Sequence, residues 1–336
     1  MTAKPKVWVS RPLFPDVLAR LSEHFDVQAE AIERRHMPEQ LRERLLAVDG
    51  AVLGLADRVD AAVLEGNQRL RVIANLAVGY NNLDVPALTR AGVLACNTPD
   101  VLNETVADYA WALMLAAARR VSAAERWLRA GQWGSHMRFD DWLGVDVHGK
   151  TLGILGMGRI GQAIARRAAG FDMRVLYHNR SRLPEPIERE CRATLVGKES
   201  LLKQADHLIL VLPYNKANHH AIGAPELALM KRTAVLVNVA RGGIVDEVAL
   251  AAALREGRLA AAALDVFEGE PAVHPDLLSL DNALLSPHIA SASEDTRRAM
   301  ASLAADNVLA ALGHGPHAGH PATPLNPEVM ARWPRH

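Results

Sequence analysis

The chain has 336 residues, a length that suits two domains, and its 49% hydrophobic and 23% charged residues are ordinary for a globular protein with a full core. Thirty-eight basic residues balance 38 acidic ones and aromatics make up only 4%, which argues against a surface that grips a polyanion or stacks on bases. The two cysteines, Cys96 and Cys191, stand far apart and outside any CxxC pattern, so a disulfide scaffold and a Cys-rich zinc site are excluded and a reducing compartment is expected.

The N-terminus lacks the apolar core of a signal peptide, and the longest apolar helical run, 109–118, is far short of the roughly 20 residues that span a bilayer. A soluble, cytoplasmic protein with neither membrane nor nucleic-acid partner is expected. Strands are predicted over 6–10, 50–55, 70–77 and 92–97, with helices over 12–24, 37–48 and 85–91 between them. Buried, non-alternating strands separated by helices read as a parallel α/β sheet. One long helix, 105–130, then bridges into a second unit, and an irregular arm rich in Gly, Trp and charge follows over 131–149. A second series of strands, 151–156, 173–178, 207–212, 234–239, 261–266 and 283–286, gives six strands with helical crossovers, a doubly wound topology. A last long helix covers 294–312, and the tail from Gly313 is expected to be loosely ordered.

Two glycine motifs compete. Gly144-Val145-Asp146-Val147-His148-Gly149-Lys150-Thr151 satisfies the phosphate-loop pattern by letter, but that loop needs a strand before it and a helix after it. Here a strand follows, and Lys150 reads as a solvated charge at the strand edge. Gly156-Met157-Gly158-Arg159-Ile160-Gly161 has the required strand before and helix after, and reads as a dinucleotide fingerprint. Its first glycine permits the tight turn, its second lets backbone approach a pyrophosphate, and its third lets helix pack on strand, with the helix N-terminus facing the negative charge. At the end of the next strand, where an acid would select the NAD ribose, the chain reads His178-Asn179-Arg180-Ser181-Arg182. Two arginines and a serine suit a 2′-phosphate, so NADP(H) is expected to be preferred, with NAD(H) possible.

Three further segments end predicted strands with polar groups: Asn238-Val239-Ala240-Arg241-Gly242-Gly243, Asp265-Val266-Phe267-Glu268-Gly269-Glu270-Pro271 and Ser286-Pro287-His288-Ile289-Ala290-Ser291. In open α/β sheets ligands gather at such ends. Singly, Arg241 could be a turn residue, Glu270 a helix-cap acid and His288 a satisfied core histidine; together they suggest an anion clamp and an acid–base pair.

With these segments, the fingerprint, Ala77-Val78-Gly79-Tyr80-Asn81-Asn82-Leu83-Asp84 and Thr105-Val106-Ala107-Asp108, nearly the whole chain resembles the D-isomer-specific 2-hydroxyacid dehydrogenase family. It most resembles the glyoxylate/hydroxypyruvate reductase and 2-ketogluconate reductase branch. The resemblance implies an α/β protein of two domains. A flavodoxin-like substrate domain would comprise 1–101 and 290–336, and a Rossmann-type, doubly wound dinucleotide-binding domain 102–289, with a dimerisation arm near 131–149.

It further implies reduction of a small 2-oxo acid to a D-2-hydroxy acid. His288 would be the general acid, Glu270 the carboxylate that fixes and charges its ring, and Arg241 the fork on the substrate carboxylate. Backbone amides of Val78 and Gly79 would hold that carboxylate from its other side. Asp265 would contact the nicotinamide carboxamide, with Thr105 near the same ring, while Leu212, Pro213 and Val239 would line the adenosine and ribose slot. Glu268 competes with Glu270 by position, but the motif spacing favours Glu270 and leaves Glu268 solvated. Arg297 is a candidate for the substrate's distal hydroxyl, and Leu53-Gly54-Leu55 for the border of its tail.

Two departures from the family pattern stand out: Ala290, where glycine is usual, adds a methyl beside the nicotinamide pocket, and Asn218 replaces a usual threonine. A homodimer is expected, with Trp142 of the arm as a candidate to reach the neighbouring subunit. The tail histidines His314, His317 and His320 lack acid or Cys partners, and no metal site is expected. A phosphoglycerate-type dehydrogenase shares the same catalytic set, and phosphite and formate dehydrogenases the scaffold. A cofactor-sensing, corepressor-like binding protein is the alternative from another class.

Overall fold

The computed structural model describes residues 3–134 and 137–333. The chain divides into two compact units, Met1–Leu102 with Ser293–His336, and Asn103–Ala292; the sequence reading draws these lines after 101 and before 290.

The first unit runs β1 (Lys6–Val9), α1 (Pro15–His24), β2 (Asp26–Ala29), α2 (Pro38–Leu46), β3 (Gly50–Leu53), α3 (Ala61–Leu64), β4 (Val72–Asn75), α4 (Val85–Arg90) and β5 (Leu94–Cys96). Its five strands are parallel in the order β2-β1-β3-β4-β5, the flavodoxin-like arrangement. Prolines at the first turns of α1, α2 and α4 start those helices where an amide donor is not needed.

Alternation along the strands divides the core of this unit into two faces. Val7, Val9, Val52, Val72 and Ala74 pack on one side, while Trp8, Ala51, Leu53 and Ile73 pack on the other. The sequence reading misses β2, since Asp26-Val27-Gln28-Ala29 is an edge strand with no apolar run.

The second unit opens with α5 (Asn103–Ala118) and α6 (Val121–Arg129), where one unbroken helix over 105–130 is expected. Arg120, at φ 55°, turns the chain left-handed between them, and no glycine or proline announces the break. There follow β6 (Thr151–Leu155), α7 (Arg159–Arg167), β7 (Arg174–His178), α8 (Glu185–Glu190), β8 (Ala193–Leu195), α9 (Lys198–Gln204), β9 (His207–Leu210), α10 (Ala224–Leu229), β10 (Val235–Asn238), α11 (Glu247–Arg255), β11 (Ala261–Leu264), α12 (Pro275–Leu278) and β12 (Ala283–Leu285).

The seven strands are parallel in the order β12-β11-β10-β9-β6-β7-β8, one more than expected because three-residue β8 adds to the edge. The direction of winding reverses between β6 and β9, and a doubly wound sheet binds ligands at the carboxyl ends beside such a reversal.

The chain then returns to the first unit as α13 (Glu294–Ala311), capped by Ser293, whose hydroxyl accepts from the Thr296 amide. The tail departs from expectation, because it is tied down. Asn326 accepts from the Ala95 amide and donates to the Val93 carbonyl and the Thr89 hydroxyl, and Thr323 bonds to Asn307 and to the Asn97 carbonyl. No helix of the described residues is long and apolar enough to cross a membrane.

Candidate active site

The fingerprint turn joins β6 to α7. Gly156 sits at φ 99°, and a Cβ there would stand 2.8 Å from the Leu212 nitrogen. A Cβ on Gly161 would stand 2.6 Å from the Gly156 carbonyl oxygen, so helix and turn touch through glycine. Gly158, the N-cap of α7, has open space where a side chain would be and supplies no side-chain cap to the helix start. An uncapped helix start behind an open glycine fits an anionic phosphate group. The competing motif is built otherwise. A Cβ on Gly144 would lie 2.3 Å from the Ala118 carbonyl oxygen, Val145 donates to that same oxygen, and strand β6 begins at Thr151.

At the end of β7, two of the cofactor candidates also have protein partners. Asn179 turns inward, its Oδ1 accepting from the Met157 amide at 2.6 Å, so it braces the fingerprint turn. Arg182 forms a two-pronged pair with Glu188 of α8, Nε to Oε2 at 3.0 Å and an η-nitrogen to Oε2 at 2.8 Å. This pairing, with the Tyr177 hydroxyl also donating to Glu188, holds the Glu188 carboxyl below its usual range. Arg180 and Ser181 are exposed, and Arg180 has no ion-pair partner among the described residues. Leu212 and Pro213 lie beyond the end of β9 and Val239 directly after β10, on the rim where the fingerprint opens.

Arg241, Glu270 and His288 follow β10, β11 and β12. The Arg241 turn is shaped by Asn238, whose side chain donates to the Arg241 carbonyl and accepts from the Ala240 amide. Gly242 is the point of closest approach. A Cβ there would fall 1.8 Å from the Phe267 carbonyl carbon and 2.2 Å from the Glu268 nitrogen, so only glycine lets the two loops meet.

The Glu270 carboxylate accepts from the Phe267 amide at 2.9 Å through Oε1 and pairs with His288 Nδ1 at 2.8 Å through Oε2. Burial pushes its proton affinity up, but the His288 bond and charge, the Phe267 amide and the Arg241 charge outweigh it and hold the carboxyl below its ordinary value. Burial lowers Arg241 from its ordinary value while Glu270 raises it, which marks these two charges as neighbours. His288 itself sits at φ 53°, a left-handed conformation costly for a non-glycine residue. Glu270 engages Nδ1, the nitrogen on one side of the ring, and Nε2 lies on the other.

Asp265 is fully buried, and its carboxylate accepts from the Ser286 hydroxyl at 2.7 Å and from the Ile289 and Ala290 amides at 2.9 and 2.8 Å. It holds the loop that carries His288. Ala290 is buried against this brace. Thr105 lies half-buried in the first turn of α5.

In the first unit, Val78 and Gly79 follow β4, and their carbonyls accept from Asn97 and Asn75. Leu53 ends β3 and is buried, and Arg297 lies in the first turns of α13. Asn218 makes a local cap with Asn215 and donates to the Pro213 carbonyl. Trp142 packs on Trp127 of its own chain, ring centroids 5.4 Å apart, beneath the Arg120 guanidinium. Of the arm, Ser135 and His136 lie outside the described residues.

The sequence reading misses Glu247, a buried acid on the first turn of α11 that accepts from the Glu268 amide at 2.6 Å. Burial raises its carboxyl above the usual range. Its only sequence signal is an acid at a helix start, which is ordinarily solvated. Glu268 is exposed, as expected, and also pairs with His220 at 2.8 Å.

Comparison with known proteins identifies the family. The NAD-binding-domain model of the D-isomer specific 2-hydroxyacid dehydrogenases matches residues 111–290. A glyoxylate reductase from Thermococcus onnurineus is 48% identical over 312 residues, covering 91% of this chain and 92% of the relative. Among solved structures, an NADPH-dependent glyoxylate/hydroxypyruvate reductase from Sinorhizobium meliloti, in complex with NADP and malonate, superposes with a TM-score of 0.84 at 36% identity, covering 97% of this chain and 98% of that one. A glyoxylate reductase from Paecilomyes thermophila gives 0.85 at 33% identity, covering 98% and 100%. The chain belongs to the D-isomer specific 2-hydroxyacid dehydrogenase family, in its glyoxylate reductase branch.

Proposed function

We propose that this protein reduces small 2-oxo acids, of the glyoxylate, hydroxypyruvate or 2-ketogluconate kind, to D-2-hydroxy acids, with NADP(H) preferred and NAD(H) usable. The observation that carries the reading is the 2.8 Å His288–Glu270 pair beside the Arg241 charge, at the carboxyl edge of a sheet whose fingerprint turn is open to a phosphate. The uncapped start of α7 and the glycine cradle would hold the pyrophosphate, and Arg180 with Ser181 the 2′-phosphate. Arg182 contributes less there because Glu188 already neutralises it. A bound nicotinamide supplies the hydride.

The chain's own groups do the rest. Arg241 holds the substrate carboxylate and draws electron density from the adjacent carbonyl, a task for a charge that is never lost. The amides of Val78 and Gly79 are proposed as further donors to that carboxylate. His288 Nε2 delivers a proton to the keto oxygen, and the ring takes one back from solvent between turnovers. Glu270 holds Nδ1, fixing the ring's direction. Asp265 keeps the His288 loop in register.

Trp133, Met137, Phe139 and Leu143 of the arm are exposed apolar side chains, which supports a homodimer formed through this arm. Both cysteines are free and buried, which suits the cytoplasm.

The test is oxidation of NADPH and NADH against glyoxylate, hydroxypyruvate, 2-ketogluconate, pyruvate and phosphohydroxypyruvate, with His288→Ala as control. Turnover of one of these acids, abolished in the control, is expected. Binding of both cofactors without reduction of any acid would overturn the reading in favour of a sensing role.

A further inference from the structure

A second cluster of chemistry lies outside the reaction site, where the loop after β9 meets the loop after β11. His219, His220 and Glu268 each offer one ligand atom, and these atoms all lie within 4.8 Å of one another. His220 Nε2 stands 2.8 Å from one Glu268 oxygen and His219 Nε2 stands 3.8 Å from the other. Across a tetrahedral ion with bonds near 2.0–2.1 Å, neighbouring ligand atoms are about 3.4 Å apart. The two separations run to different Glu268 oxygens and fall either side of that distance, and the two rings stack with centroids 3.8 Å apart and planes 24° apart, so one ring has to swing out of the stack for both nitrogens to meet one ion.

His219 is also held from its other nitrogen, and His220 has an acid near its own. His219 Nδ1 lies 3.2 Å from the Tyr214 hydroxyl, and His220 Nδ1 lies 4.0 Å from an Asp246 carboxylate oxygen. A hydrogen-bonded partner such as the Tyr214 hydroxyl fixes which nitrogen faces an ion. The backbone is placed as firmly. His220 donates its amide to the Gly243 carbonyl, and the Glu268 amide is held by the buried Glu247. A Cβ on Gly243 would press on His219 Nδ1 at 3.2 Å and on the Tyr214 ring at 2.9 Å, so glycine is what lets the histidine stand there.

We infer that His219, His220 and Glu268 form a binding site for a divalent transition-metal ion of the Zn²⁺ class, two imidazoles and one carboxylate with a position left for water. Nitrogen-rich donors exclude Mg²⁺ and Ca²⁺, which take oxygen ligands. The exposure of His219 and Glu268 gives the ion a direct path from solvent. A bound ion ties the turn that leads to Glu270 to the loop after β9. This assignment stands apart from the tail histidines, which come together in no such cluster among the described residues.

The experiment takes the full chain, stripped with a chelator, and titrates it with Zn²⁺ by calorimetry and with Co²⁺ by visible absorption. One ion per chain is expected, with the strong absorption of four-coordinate Co²⁺ and a raised midpoint of thermal unfolding. His219→Ala, His220→Ala and Glu268→Gln should each weaken binding at least about tenfold. Tyr214→Phe, which keeps all three ligands, should weaken it less, and a His317→Ala/His320→Ala chain should bind as before. Absence of saturable binding, binding indifferent to the three ligand variants, or binding lost in the tail variant would each overturn the site.

Discussion

Gly242→Ala is the sharpest perturbation of the proposed chemistry, because it adds one methyl group and touches no reacting atom. That methyl would lie 1.8 Å from the Phe267 carbonyl carbon and 2.0 Å from its oxygen, and ordinary contact begins near 3.4 Å. The obstacle is backbone, so the 267–270 segment has to retreat by about 1.6 Å. If the segment moves as a body, Glu270 keeps the Phe267 amide, but its 2.8 Å bond to His288 opens to as much as about 4.4 Å, beyond hydrogen bonding. Displacements near 1 Å cost reaction rates about 100-fold, or about 2.7 kcal/mol of barrier. Overpacking itself destabilises by about 1–3 kcal/mol, which lowers the unfolding midpoint by about 2–12 °C in a unit of this size. The assay is steady-state reduction of the best acid from the panel, below the variant's midpoint, beside cofactor titration and thermal melts. The expected result is a kcat down about 100-fold with cofactor binding retained. A kcat within about threefold of the parent would refute the claim that this close approach positions Glu270.

Three other outcomes follow from particular residues. Burial lowers the proton affinity of His207 while the Asp146 carbonyl binds its Nε2. The unfolded chain therefore takes up the proton first, and stability is lost as pH falls from about 6.5 toward the folded value. His207→Gln, which keeps a donor for that carbonyl, should flatten this part of a denaturation-versus-pH curve. Glu247 runs the other way, since protonation relieves its buried charge, so the comparison between variants carries the test. Below about pH 4.5 both chains should weaken together, as Glu188, Asp206, Glu226 and Glu270, all held below their ordinary values, lose their charges. Arg180→Ala should raise the KM for NADPH about tenfold with little change for NADH, whereas Arg182→Ala should lower thermal stability by stranding Glu188; the reverse pattern would assign the 2′-phosphate to Arg182. Cys96, whose thiol burial pushes up to about 12, should resist thiol reagents in the folded chain and react only on denaturation.

The features legible in the sequence are those with a local or periodic signature. The fingerprint is one turn between a strand and a helix, and Arg241, Glu270 and His288 each end an apolar run with a polar group that needs a reason. What escaped notice has no such signature. Strands β2 and β8 are exposed edges of three or four residues without an apolar stretch. The kink at Arg120 occurs in a sequence of good helix formers. Asn179, Arg182 and Asp265 carry the right chemistry for a ligand, yet each already answers a neighbour: the Met157 amide, Glu188 of the next helix, and the Ile289–Ala290 backbone. Whether a polar side chain is spoken for depends on contacts between elements, and sequence spacing does not contain them. The same is true of Glu268, whose partners lie 48 residues before it at His220 and 21 residues before it at Glu247.

The tail that Asn326 and Thr323 fasten to β5 has a consequence for how the chain acquires its shape. The apolar face of the first sheet that takes Val7, Val52 and Val72 is covered by Ala301, Ala304, Ala305 and Val308 of α13. As synthesis proceeds, the opening 102 residues therefore wait with this side of their sheet covered only in part, by α1. The unit Asn103–Ala292, being continuous, has all of its own strands first. Domain-by-domain folding on the ribosome then runs middle first and ends last, so the part of the molecule made earliest is completed latest. Shortening the chain before Thr323 would leave the continuous unit intact and release the edge strand β5 for pairing with other chains.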